Sequence, residues 1–405
     1  MSAGARHPWS DPRFRVLLWL TLGAIGWIAL LALVAAGLGS QPPKAGFDLK
    51  LVLDAGKRVA SGASPYDPAL VAGSASLQAQ DLFYSYPPPV AQAAALVSAL
   101  PLGLVLVALD ALAVAGLGWL AWRLGRELDR LDRPVEVALA TVALAPFVFP
   151  FTVALLFGNL DAFYPLAFGL LLLAVLVPGR RSAVAGGIAL ALVSIAKLHP
   201  AVLGLWLLAR GAHEWRAGRP LVAWRVLAVA VIAGVAVLGG SLALGGLAPW
   251  TDYASVLRTI SGARVVLANN VGPAAQIALQ LGLGDDVARL LQVLVLLVAL
   301  AVVVLMGWYR RDPVESLGFA VAASLIVLPI TWFHYPAALI PFALAALLRA
   351  RGTSDEVRVG WLVAAAVALG VAAMGLTALV LLALVAALFA ARGPRPLGRA
   401  PVEAW

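Results

Sequence analysis

Long apolar runs separated by short arginine clusters recur along this chain, and that alternation constrains its fold more than any other feature. Val16 to Leu38 is about 23 residues, or roughly 34 Å of helix, enough to cross the hydrocarbon of a bilayer. Signal-peptide apolar regions are shorter. The run therefore reads as an uncleaved first helix, entered after Arg6, Arg13 and Arg15. The remaining runs have the same character. Only 12% of the 405 residues are charged and 62% are hydrophobic, whereas a soluble domain carries about 25% charged residues. No stretch is left for a separate soluble domain. The expectation is a single integral membrane domain over 1–405, all-α, a polytopic helical bundle.

The net charge of +9 does not point to nucleic acid, because the basic residues sit between apolar runs, as in loops retained in the cytoplasm. The absence of cysteine excludes disulfides, thiolate metal sites and a cysteine nucleophile. Orientation follows from the clusters Arg123/Arg126/Arg130/Arg133, Arg180/Arg181, Arg210/Arg216/Arg219/Arg225, Arg310/Arg311, Arg349/Arg351/Arg358 and Arg392/Arg395/Arg399. Placing these inside with the N-terminus puts 21 of the 29 basic residues in the cytoplasm, and all four lysines fall in the minority, so the bias is not a scatter of charge.

That orientation predicts about twelve crossings with both ends inside. They are 16–38, 102–123, 135–153, 158–178, two short halves within 183–210, 222–246, 287–308, 314–331, 336–349, and a final hairpin over 359–391 turning near Gly375. Pro200 disfavours helical geometry at His199, so the 183–210 stretch should break there. Pro88–Leu100 reads as a short segment at the outer face. Two long outer loops remain, 39–86 and 247–286, and loops of this length in a compact membrane domain tend to be functional.

Polar residues gather on this outer face. The first loop carries Asp48, Lys50, Asp54 and Lys57, then Tyr66 and Tyr86. Hairpin tips carry Phe157-Gly158-Asn159-Leu160-Asp161 and Lys197-Leu198-His199-Pro200. The second loop carries Arg264 and Asn269-Asn270, and a late turn carries Trp332-Phe333-His334-Tyr335-Pro336. On spacing alone Asp48 reads as a working carboxylate or as a solvated charge just beyond a helix end. Lys50 and Lys57 read as exposed charges reaching phosphate headgroups. Lys197 lies in an apolar run with no acidic neighbour in sequence, which favours a substrate or ion-pair role. His199 reads as a cap of the broken helix or as a functional group, and His334 as functional or as part of an interfacial aromatic belt. Asn159, Asn269 and Asn270 are also ordinary turn residues. Asp110, within a span, should pair between helices, and Asp285-Asp286 should cap a helix N-terminus.

The order of these elements resembles glycosyltransferase family 87, within the glycosyltransferase-C superfamily. The matching pieces are Phe47-Asp48-Leu49-Lys50 with Ala60-Ser61-Gly62-Ala63-Ser64-Pro65-Tyr66-Asp67, then Tyr86-Pro87-Pro88 and Gly158-Asn159-Leu160. Ala196-Lys197-Leu198-His199-Pro200, Asn269-Asn270 and Trp332-Phe333-His334-Tyr335 follow. The family tends to have Gly-Gln-x-Asn where this chain has Gly158-Asn159, so the glutamine is missing.

The resemblance implies transfer of a sugar from a polyprenyl-phosphate carrier to a glycolipid or lipoglycan acceptor, by single displacement with inversion. Mannose transfer of the alpha-1,2 type is the first expectation. Arabinofuranose transfer and a lipid-linked glycan transporter or flippase are the alternatives. It further implies a multi-pass protein of the bacterial cell membrane with its active site on the periplasmic or extracellular side. Asp48 is then the expected general base, with Asp54 the nearest alternative. Lys197, His334, Arg264 and His199 are expected to bind the donor phosphate, and Asn159, Asn269, Tyr66 and Tyr86 to orient the sugar and acceptor. The outer-face carboxylates lack an Asp-x-Asp pair, so no metal and no cofactor is expected beyond the lipid-phosphate donor itself. The expected partners are that donor, the acceptor and membrane lipids.

Overall fold

The structure is a computed structural model; it describes residues 11–363 apart from 76, 78–82, 130 and 311. Among these residues there is no β-strand. The first span, α1 (Pro12–Leu38), starts where Asp11 accepts a hydrogen bond from the Arg13 N–H at 2.8 Å and Pro12 supplies a preset φ. Two helices of the first outer loop follow, α2 (Phe47–Ala60) and the short α3 (Pro68–Val71), and then α4 (Pro88–Ala95). The chain re-enters through α5 (Leu102–Leu128) and returns through α6 (Pro134–Leu144) and α7 (Phe149–Phe157). Next come α8 (Tyr164–Leu176), α9 (Arg180–Ala196), α10 (Leu203–Arg216) and α11 (Val222–Gly245). The second long loop holds α12 (Ala248–Ile260) and α13 (Pro273–Gln280), then come α14 (Asp285–Tyr309), α15 (Pro313–Ser324) and α16 (Ile340–Ala350), and residues 356–363 are again helical.

Among the described residues, four helices are long and apolar enough to cross a membrane: α1, α5, α11 and α14. A fifth span results if α6 and α7 count as one helix bent by 71° at Val148. The bend has a covalent cause, since Pro146 and Pro150 flank it and each removes a backbone donor. Thr152 Oγ donates to the freed Pro146 carbonyl at 2.8 Å. The twelve regular crossings expected from hydropathy are thus not reproduced one for one. Leu160–Leu176 and Tyr335–Ala350 are shorter apolar segments. The helix expected to Thr331 stops at Ser324, and the hairpin expected over 359–391 lies, from residue 364 onward, outside the described residues. The break near Pro200 is real but sits earlier than proline sterics suggest. Lys197 is extended, at φ −142° and ψ 137°, while His199 lies in a 3-10 turn.

α1 packs through a glycine face and leaves Leu17, Leu20, Ile28 and Leu31 exposed. A Cβ at Gly26 would lie 2.9 Å from the Phe147 ring, so this close approach depends on the missing side chain. α8 is buried nearly all round, as an apolar helix without a polar face must be, and carries Phe168, Leu171 and Leu172 into the main core. At one end of the bundle, arginines from distant stretches share carboxylates. There Glu136 holds Arg15 at 2.8 Å and Arg351 at 3.6 Å, Asp129 takes Arg351 at 3.1 Å, and Asp312 takes Arg349 at 2.6 Å. At the opposite end, the two long loops pack on each other. Tyr66 stacks on Tyr253 at 5.8 Å, and Ser64 donates to Asp252 at 2.6 Å.

Candidate active site

Asp48, Asn159, Asp161, Lys197 and His334 come together where several helices end at once. α7 stops at Gly158, whose φ of +65° is open to glycine at little cost. A Cβ there would lie 2.7 Å from Leu49 Cβ and 2.9 Å from Leu106. This glycine therefore lets α2 and α5 close on the turn. The Gly46 N–H donates to the Leu156 carbonyl at 2.8 Å and ties the start of α2 to the same turn. Gly158→Ala is expected to cost about 2–4 kcal/mol, as left-handed strain plus overpacking, and to displace α2. Thermal unfolding of the detergent-solubilised variant measures the cost, and an unchanged midpoint would contradict the packing described.

Asp48 lies in the first turn of α2, where a carboxylate is favoured by the helix N-terminus. Its Oδ2 accepts from Asn159 Nδ2 at 2.6 Å. Asn159 also caps the turn before α8 by accepting from the Asp161 N–H at 3.0 Å, and its Oδ1 accepts from Lys197 Nζ at 3.3 Å. Lys197 Nζ donates to Asp161 Oδ2 at 2.8 Å, and His334 Nε2 stands 3.2 Å from that same oxygen. Asp161 is fully enclosed and His334 nearly so. Neither ring nitrogen of His334 makes an aligned hydrogen bond among the described residues. The ammonium of Lys197 also lies 4.6 Å from the Tyr335 ring and 5.9 Å from the Tyr86 ring, within cation–π range.

Burial raises the Asp48 carboxyl above its ordinary value. The Asn159 hydrogen bond and the charges of His334 and Lys197 pull the other way, and Asp161 reinforces the rise. Asp54, one and a half turns further along, behaves oppositely. Its partial burial would raise it, but Lys50 at 2.5 Å and Lys57 at 3.4 Å hold it below the usual carboxylate range. Among the described residues no three His, Asp or Glu side chains converge as a metal site.

Asp48, Asn159, Lys197, His334 and Tyr86 are thus brought together from five separate stretches of sequence. His199 lies beside them but is committed: its Nε2 is 2.8 Å from the Tyr164 hydroxyl, and its ring stacks on Tyr335 at 5.0 Å. Tyr66 is buried and donates its hydroxyl to the Tyr86 carbonyl at 2.9 Å, bracing the loop that carries Tyr86. Arg264 is exposed and pairs with Asp285 at 3.8 Å, and Asn269 is exposed in the second loop. Asp285 does not cap its own helix; its carboxylate accepts from the Val265 and Val266 N–H groups at 3.0 and 2.8 Å. Asp110 has no interhelical partner among the described residues, contrary to expectation. Asp161 was not singled out by sequence, although it stands in the same Gly158–Asp161 turn, two residues after Asn159.

The sequence model of glycosyltransferase family 87 matches residues 84–336, well over half of the chain. The chain belongs to glycosyltransferase family 87. The match contains Tyr86, Asn159, Asp161, Lys197, His199, Arg264, Asn269 and His334, and it begins after Asp48. No curated protein matches the chain. Family membership makes the protein a membrane glycosyltransferase. α2 lies outside the matched segment, but its first turn meets Asn159 inside it through Asp48.

Proposed function

We propose that this family 87 enzyme transfers mannose from a polyprenyl-phosphate carrier to a glycolipid or lipoglycan hydroxyl on the non-cytoplasmic face of the membrane. The observation that carries this reading is a single amide: Asn159 hydrogen-bonds the Asp48 carboxylate with its nitrogen and meets Lys197 with its oxygen. A base and a cation are thereby held on either side of one turn.

The reaction asks for that pair. The acceptor oxygen forms a bond to the anomeric carbon while the bond from that carbon to the phosphate oxygen breaks, with inversion. The acceptor proton passes to Asp48, which needs hydrogen-bond reach to the hydroxyl and its ionised form. The departing lipid phosphate gains a negative charge. Lys197 spends two of its three donors on Asp161 and Asn159 and has one left for a phosphate oxygen. The unengaged Nδ1 of His334 offers a second contact, in a poorly hydrated site where such contacts count most. Arg264 and Asn269, on the second outer loop, are assigned to the entering donor and acceptor rather than to the reacting atoms. Tyr86 is assigned to the sugar, Tyr66 to support of Tyr86, and His199 to support of Tyr335.

Purified protein given radiolabelled polyprenyl-phosphomannose and polyprenyl-phosphoarabinose with candidate glycolipids is expected to transfer mannose. Transfer of arabinose alone would reassign the donor, and translocation without transfer would remove the reading as an enzyme. The raised Asp48 carboxyl also sets a pH dependence. The base works only when ionised, so transfer is expected to fall with acidification at a higher pH than an exposed carboxylate would give, and to rise to a plateau above it. A pH–rate profile measured at saturating donor checks this, and an acid limb in the ordinary carboxylate range would contradict the burial of Asp48.

A further inference from the structure

Between Ser324, the last residue of α15, and Tyr335 the backbone is neither helix nor sheet, although much of it is buried. Buried backbone without a ladder must find its hydrogen bonds elsewhere. Two buried amides meet that need. Gln292 of α14 donates to the Ile326 and Val327 carbonyls at 3.0 and 3.2 Å. Asn270 of the second outer loop reaches the far half of the stretch, donating to the Pro329 carbonyl at 2.9 Å and accepting from the Thr331 N–H at 2.9 Å.

Asn270 is used to its limit. Its second N–H goes to the Val265 carbonyl at 2.9 Å, and its oxygen also accepts from the Gly272 N–H at 3.0 Å, so all four positions of the amide are filled. Its own carbonyl accepts from Gln276, and the Val271 N–H donates to the Thr331 carbonyl at 2.9 Å. The side chain is wholly inaccessible. No sugar or phosphate reaches it, in contrast to the exposed Asn269 beside it. Thr331 stands three residues before His334, and the segment between them carries Trp332, whose ring lies parallel to the His334 ring at 6.5 Å.

We infer that Asn270 is a positioning residue: by clasping the second outer loop to Pro329 and Thr331 it fixes where the His334 imidazole stands against Asp161, with Gln292 holding the other half of the same stretch. The inference takes the role of His334 from the reaction proposed above, but the clasp itself is measurable without that reaction. Asn270→Ala removes all four side-chain bonds. Asn270→Ser is the milder variant, keeping a small hydroxyl that can donate to a carbonyl or accept from an N–H.

Hydrogen–deuterium exchange of the full-length protein in detergent is the first reading. In the Asn270→Ala protein, or in Asn270→Ser where the alanine variant does not fold, exchange over residues 325–334 is expected to rise by about fivefold or more, with α8 and α9 unchanged. Unchanged exchange over 325–334 overturns the clasp. Kinetics then test the link to His334. Transfer per folded molecule is expected to fall about tenfold in kcat with donor KM within about twofold. In a His334→Asn background the same substitution is expected to cost little more, because the two residues act as one unit. An equal loss in both backgrounds overturns the positioning role. If the wild type transfers no sugar at all, the proposed reaction fails while exchange still decides the clasp.

Discussion

Asp48→Asn is expected to lower kcat by about 10²–10⁴-fold, the usual contribution of a positioned general base, while donor affinity and folding stay close to wild type. The substitution is nearly isosteric, and the new amide can present its own oxygen to Asn159 Nδ2, so the loss isolates proton removal from packing. Asp54→Asn is the matched control. Asp54 lies on the exposed side of α2 within ion pairs to Lys50 and Lys57 that hold it ionised and make it the poorer proton acceptor. Its loss is expected to leave kcat within about twofold, as for surface ion pairs of small net worth. Full transfer by Asp48→Asn would sink Asp48 as the base, and a collapse in Asp54→Asn would move the role one and a half turns along the helix.

The second large effect is expected from Lys197→Ala, in two readouts. Donor use should weaken sharply, with a rise in donor KM together with a fall in kcat, because the ammonium is assigned to both the bound and the departing phosphate. Stability should also drop. Asp161 is completely buried, and removing the lysine leaves its carboxylate with His334 alone, a loss of about 3–5 kcal/mol when a buried pair is broken on one side. Neutralising both partners separates these readouts. Lys197→Met with Asp161→Asn removes the stranded charge and is expected to recover most of the stability but none of the donor use. Restoration of transfer by the double variant would show that the lysine serves only its ion pair.

Much of this site was readable before any fold was known, because ionisable residues in an apolar chain are few and costly and so stand out. Lys197 stands out that way, Asp48 and His334 take their expected roles from the family resemblance, and the structure places all three around Asn159 and Asp161. The contacts of the other residues depend on context that sequence does not carry. His199 and Tyr66 look available in a string of letters but are taken up by Tyr164, Tyr335 and the Tyr86 carbonyl. Asn269 and Asn270 are indistinguishable as a dipeptide, and only burial separates an exposed amide from a four-bond clasp. Asp161 was passed over because Lys197, its partner, lies 36 residues away in the chain. Helix continuity was overestimated for a related reason. Hydropathy reports that a segment is apolar, and it cannot see that Gln292 and Asn270 satisfy a non-helical backbone after Ser324.

The sequence by itself determined that this chain is apolar and helical, with most of its arginines in short clusters between apolar runs and few other ionisable residues. Those features follow from the cost of burying charge and unpaired peptide groups in hydrocarbon, which acts on composition and spacing alone. Tertiary structure decided which polar residues become a site. That outcome depends on where broken helices stop: at Gly158, where a missing Cβ admits Leu49 and Leu106, and at Lys197, where the extended backbone turns the ammonium onto Asp161. Such partners are distant in sequence, and only packing brings them within the few ångströms over which hydrogen bonds and buried charges act.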